Sequence, residues 1–224
     1  MSLALLPPLT DLFALTGLAL VLCAGVLRLS QPLSLARSWT GCLLAGLFVL
    51  LWIPVGTAAI PVVAYVRGIS SDLSITLIAL ACLALWRGFS GARSGESDRR
   101  EKRAVFVVVA IAAACLYPLA LGWGNWDAYR PGWGSYGMLS GVLVTGLVAL
   151  SLGLRLLPML LALALLAWTA GLMESGNLWD YLFDPWLAFA SVFHVLKMGF
   201  TALQVRAKRR LTLRKAGPIG LTAK

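Results

Sequence analysis

Histidine occurs once in the 224 residues, and the four cysteines, Cys23, Cys42, Cys82 and Cys115, stand apart inside apolar runs. One histidine and no CxxC pair exclude a Cys/His zinc site, so no metal and no cofactor are expected. Cysteines so placed read as small hydrophobes. Charge is scarce too: 12% of residues are Asp, Glu, Lys or Arg, against ~25% in soluble domains. Acids are the scarcer sign, nine against nineteen Lys and Arg. The resulting net charge of +10 borders hydrophobic stretches, which points to anionic lipid headgroups and away from nucleic acid.

What remains is apolar. Sixty per cent of the chain is hydrophobic and the mean hydropathy is +0.86. Apolar runs near 10–28, 38–57, 72–88, 104–122, 138–154, 157–173 and 185–204 each approach the ~20 residues that cross a bilayer core. They predict an all-α polytopic membrane protein of about seven transmembrane helices with no soluble domain. Leu20-Val21-Leu22-Cys23 lacks the small residue of a lipoprotein cleavage site, and no base precedes the run, so residues 10–29 read as a retained first span. Pro54 and Pro61 interrupt the uncharged stretch 38–66. A span ending near Thr57 followed by an interfacial or re-entrant piece at 58–66 is expected there, with an eighth short helix as the alternative.

Seven spans from an outside N-terminus leave sixteen bases inside and only Arg67 and Arg130 outside, with Lys197 within the last span. That is the positive-inside pattern, N-out and C-in, and it suits the bacterial inner membrane. The chain then divides into a three-helix segment (1–89), a charged cytoplasmic linker (90–103), a four-helix segment of two hairpins (104–204) and a basic cytoplasmic tail (205–224). The tail is expected to meet anionic lipids.

Two outer loops echo each other. One reads Gly124-Asn125-Trp126-Asp127-Ala128-Tyr129-Arg130-Pro131-Gly132-Trp133, the other Gly176-Asn177-Leu178-Trp179-Asp180-Tyr181-Leu182-Phe183-Asp184-Pro185-Trp186. They cap adjacent hairpins, as a parallel internal repeat would. An aromatic belt at the headgroup level accounts for many of the rings, and Asp184-Pro185 reads as an N-cap and first helical residue. The remaining polar groups mark a binding face: Asp127, Arg130, Glu174, Asn177 and Asp180, with Trp126 and Trp179. Carboxylates there would accept from hydroxyls or a cation, and indoles would stack on a sugar or cationic group. Arg67 and Arg130 would hold a phosphate or pair with the acids. The leading expectation is a non-catalytic protein that binds or positions a partner subunit, a lipid headgroup or a lipid-linked glycan in envelope biogenesis.

Two alternatives rest on the last span. Ser191, His194, Lys197 and Thr201 share one helix face, and intramembrane ionisable groups often line a pathway, so a small transporter is one alternative. The other joins His194 to Ser140. The stretch Tyr136-Gly137-Met138-Leu139-Ser140-Gly141-Val142 resembles the serine motif of rhomboid intramembrane proteases, with His194 two spans later where that family has its histidine. The resemblance implies Ser140 as nucleophile and His194 as base. This chain has Lys197 where the family has a glycine three residues after the histidine. It also lacks the second-span His-x-x-x-Asn motif, and Gly137 and Gly141 form a GxxxG packing pair as well.

Overall fold

The computed structural model describes residues 8–31, 36–91 and 95–215, with side chains of the last helix described as far as Ala207. It is helical, with one two-stranded hairpin as the sole sheet among the described residues. Helix α1 (Leu9–Ser30) carries Asp11 in its first turn and Arg28 in its last, each at the end where the helix dipole favours its sign. Next come α2 (Arg37–Leu51), strands β1 (Pro54–Val55) and β2 (Ile60–Pro61), α3 (Val62–Ser70) and α4 (Ile75–Ser90). The second half holds α5 (Glu96–Ala120), a 3-10 turn at Arg130–Trp133, α6 (Tyr136–Ser151), α7 (Leu156–Thr169), the five-residue α8 (Leu178–Leu182) and α9 (Pro185–Lys215). Three helices are long and apolar enough to cross a membrane: α1, α5 and the Pro185–Ala207 part of α9. Four more, α2, α4, α6 and α7, are apolar but shorter.

Three boundaries depart from the sequence reading. Helix α2 ends at Leu51, six residues before Thr57, because Pro54 lacks the N–H needed to continue it. The chain then turns through β1 and β2, which pair Pro54 with Pro61 and Val55 with Ile60, and Gly56 takes the left-handed conformation (φ +71°). The nine-residue α3 follows, about 14 Å long and short of a bilayer crossing. Residues 96–103, expected to be a free linker, form the first turns of α5. Glu96 and Asp98 suit a helix N-terminus. Arg87 Nη2 donates to Asp98 at 2.8 Å and Arg100 Nη2 to the Leu152 carbonyl at 2.9 Å. Glu101 accepts from the backbone N–H groups of Arg155 and Leu156 at the start of α7. The basic tail is likewise helical as far as Lys215, continuing α9 through good helix formers. Residues 216–224 lie outside the described residues.

Packing divides the helices into two groups. In the first, α1 lies against α2, α3 and α4; a Cβ on Gly17 would approach Ile78 Cδ1 to 2.5 Å, so glycine sets how closely α1 meets α4. In the second, α5 packs on α7 and α9, and α6 packs on α7. Helix α4 bridges the groups by contacting α7 and α8, with Ile75 buried in the core of the second. At one end of the bundle gather Asp11, Asp72, Glu174, Asp180 and Asp184 around a shared cavity; this is called the acidic end below.

Candidate functional site: an acidic cavity behind two interlocked loops

The echoed loops dock on each other. Asn177 is the N-cap of α8, its Oδ1 accepting from the Trp179 N–H at 3.0 Å. Its Nδ2 donates to the Tyr129 carbonyl at 3.0 Å. One fully buried amide thus starts a helix and holds the neighbouring loop. Trp179 Nε1 donates to the Ala128 carbonyl at 3.1 Å, and the Tyr129 hydroxyl donates to Asp180 Oδ2 at 2.6 Å. Ser175 Oγ donates to the same carboxylate oxygen. Gly132 lies where any side chain would run into Asn177 Oδ1 and Trp179 Cδ1. Burial first, and then the hydrogen bond to Asp180, push the Tyr129 phenol above its ordinary value, so it stays neutral and a donor.

Beside this lock stands Arg67 on α3, which holds three carboxylates. Its Nη1 donates to Asp11 at 2.6 Å, Nε and Nη2 to Asp72 at 2.6 and 3.2 Å, and Nη2 also to Glu174 at 3.0 Å. Hydrogen bonding to Asp72 is the main cause that raises the guanidinium above its usual value. All its nitrogens are engaged, so Arg67 has no donor fork left for a phosphate. Deeper in, Asp184 accepts from Ser74 N at 2.9 Å, Ser74 Oγ at 2.7 Å and Leu187 N at 2.8 Å. This carboxylate is 4% exposed and is the expected N-cap of the last span, tied in addition to the start of α4.

These groups line one cavity of about 1030 Å³. Its walls come from α1, the β2–α3 region, the last turns of α5, α8 and the loops before α8 and α9. Asp11, Asp72, Glu174, Asp180 and Asp184 face it together with Arg67, a formal excess of four negative charges. Leu12, Leu15, Leu116 and Met173 supply apolar wall, and Trp52, Trp179 and Phe183 supply rings. The Trp52 indole N–H is buried without a partner. Glu174 is the most open of the acids, its side chain 62% exposed.

The expected binding set therefore splits. Glu174, Asp180 and Trp179 line the cavity, and Asn177 holds its wall from behind. Asp127, Arg130 and Trp126 lie in a shallower cleft with Pro131 and Trp133, where Asp127 accepts from the Tyr129 N–H at 2.9 Å in a local turn. Asp11 and Asp72, outside the expected set, complete the cavity with Arg67, for which pairing with the acids was one of the two expected roles. Their signal was a charge in the first turn of a span and an Arg-Gly-Ile-Ser-Ser-Asp stretch before the next one.

The polar face of α9 is not one environment. Ser191 is fully buried with an unpartnered hydroxyl, the His194 ring lies 4.7 Å from that of Phe106 on α5, and Lys197 is exposed. Ser140 is exposed on α6, and no hydrogen bond links it to His194 among the described residues. Nor do three His, Cys, Asp or Glu side chains form a metal-holding group among those residues; Arg67 takes the central place among Asp11, Asp72 and Glu174. Comparison of the chain with protein-family models, curated proteins and solved structures finds no match.

Proposed function

We propose that this is a seven-span protein of the bacterial inner membrane, N-terminus outside, whose acidic cavity faces outward. In this reading it holds the amine- and hydroxyl-bearing headgroup of a lipid or lipid-linked glycan and positions it without catalysis. The observation that carries the proposal is the convergence of five carboxylates and one guanidinium, whose nitrogens are all engaged by acids, on a single cavity. With Arg67 occupied, the net field in that space is negative, so an ammonium group is attracted and a phosphate is repelled. The carboxylate oxygens of Glu174 and Asp180 suit ammonium and hydroxyl donors, the Trp52 N–H suits a hydroxyl or ether oxygen, and the Trp179 ring offers a face to a sugar or cation. Apolar wall from Leu12, Leu15 and Leu116 fits the start of a hydrocarbon portion. The shallower cleft of Asp127, Arg130 and Trp126 would then border the same outer surface.

A matched pair of glycosides tests this. Octyl 2-amino-2-deoxyglucoside and octyl glucoside differ by one ammonium group, and calorimetric titration of the detergent-solubilised protein should show the amine bound about tenfold tighter, or ~1.4 kcal/mol. Glu174→Gln combined with Asp180→Asn should erase the difference. Equal affinities in the unaltered protein would overturn the proposal. Orientation is tested separately, in a background without the native cysteines: Asn125→Cys should react with an impermeant maleimide from outside the cell, and Ser151→Cys only after permeabilisation.

A further inference from the structure

Helix α9 is the least covered of the three long apolar helices: 17% of its apolar stretch is buried, against 39% for α1 and 28% for α5. One side packs on α5. Along the other run Trp186, Phe189, Phe193, Leu196, Phe200 and Leu203, each between 54% and 75% exposed. Their spacing alternates three and four residues, the heptad pattern of a seam that packs side by side with a second helix. Lys197 sits on this face, four residues after Phe193 and three before Phe200, and residues so spaced are neighbours on a helix surface. It is exposed, and none of the chain's nine acids pairs with it among the described residues.

We propose that this face of α9 docks a membrane-spanning helix of a different protein, one that carries an aspartate or glutamate near its midpoint. The proposal rests on α9 crossing the membrane and is independent of the headgroup reading. Depth is the first argument. Lys197 lies twelve residues beyond Pro185 and ten before Ala207, about 18 Å and 15 Å of helix, which is near the middle of a ~30 Å hydrocarbon core. An ammonium there is costly without a partner. Helical Cα–Cβ bonds lean toward the N-terminus, away from the nearer end, so the side chain is poorly placed to snorkel out. Charge is the second argument. A carboxylate facing Lys197 from the flank of a neighbouring helix supplies the missing partner, as charges beside a heptad seam do. A second copy of the chain does not. Its acids lie in loops, in the opening turns of α1, α5 and α8, and at the start of α9, and copies inserted alike bring Lys197 against Lys197. Helices associate in lipid through packing and polar pairs, and this face offers both: rings that interdigitate with smaller residues and one ammonium that sets the register.

The experiment uses the whole protein in phosphatidylcholine vesicles with a synthetic Leu/Ala membrane-spanning peptide of ~20 residues, carrying either aspartate or leucine at its midpoint. Energy transfer from a donor on the protein to an acceptor on the peptide, at high lipid dilution, reads association. The aspartate peptide should bind about tenfold tighter than the leucine peptide. Lys197→Ala should erase that difference, and Lys197→Glu should move the preference to a peptide with lysine at its midpoint. Phe193→Ala combined with Phe200→Ala keeps the ammonium but strips the seam, and should weaken the aspartate peptide about tenfold as well. These three positions are exposed, so the variants should keep the thermal unfolding of the parent. Equal binding of both peptides, or a preference that survives Lys197→Ala, overturns the proposal. Unchanged binding in the double phenylalanine variant does so too, since it would leave a bare charge contact. Transfer between labelled copies of the protein without peptide, lost in that double variant, would make the face a self-contact and also overturn it. The span itself is checked in parallel: with the native cysteines removed, a fluorophore attached to Leu196→Cys should be quenched by lipids brominated midway along their chains. Absence of quenching removes the span and this proposal with it, whereas quenching without peptide discrimination removes the proposal alone.

Discussion

The two echoed loops use the same residue types for opposite purposes. In the second loop the polar groups turn inward: Asn177 is fully buried, Trp179 donates to the first loop, and Asp180 receives a phenol. In the first, Trp126 is 62% and Trp133 64% exposed, and Asp127 merely closes a turn on its own backbone. The second loop supplies most of the fastening, and the first is held by its Ala128 and Tyr129 carbonyls and by the Tyr129 hydroxyl, while Trp126 and Trp133 stay exposed. Likeness of sequence thus says little about likeness of role when one copy provides most of the side-chain donors and the other mainly the backbone they grip.

That contrast can be broken most forcefully at Gly132. Gly132→Leu drives a side chain into Asn177 and Trp179 and should lower stability by about 3 kcal/mol, the upper end for overpacking, whereas Gly137→Ala should be neutral; thermal unfolding in detergent followed by tryptophan fluorescence measures both. Asn177→Ala comes next. It removes a cap and one of the two donors to the Tyr129 carbonyl, which keeps the Gly132 N–H, a loss of about 2 kcal/mol, while Asn125→Ala, its counterpart in the first loop, should stay within ~0.5 kcal/mol. Asp180→Asn weakens a charge-assisted bond and should cost about 1 kcal/mol, with Asp127→Asn again near zero; a reversed order would refute the division of roles. The smallest effect is on pH. The Tyr129 phenol is raised when folded, so its contribution is complete below the unfolded value of ~10 and is lost as pH rises toward the folded value. The unfolding temperature should therefore fall more steeply above pH 10 in the unaltered protein than in Tyr129→Phe, and parallel curves would remove Tyr129 from the lock.

Helices were legible because apolar runs leave few other options, and each of the seven runs contains a helix. Their edges were less so. Pro54 shortened α2 by more than hydropathy suggested, and the charged 96–103 stretch folded because its side chains find partners on α4 and near the start of α7, which no local pattern reveals. At the acidic end, Glu174 and Asp180 stood out by their company in an aromatic loop. Asp11 did not, and Arg67, expected to pair with a phosphate or with acids, finds this one 56 positions away only because α1 packs on α3. A lone acid in the first turn of a span looks like dipole compensation until a guanidinium from another helix arrives.

The ties between Ser74 and Asp184, Arg67 and Glu174, and Ser70 and Trp186 span 110, 107 and 116 residues of chain. During synthesis these three ties must therefore wait for the second half of the chain, although Arg67 already has Asp11 and Asp72 within the first four helices. Completion of the last helix closes the acidic end, so a nascent chain truncated before residue 174 would expose Arg67 short of one carboxylate and Ser74 without its aspartate.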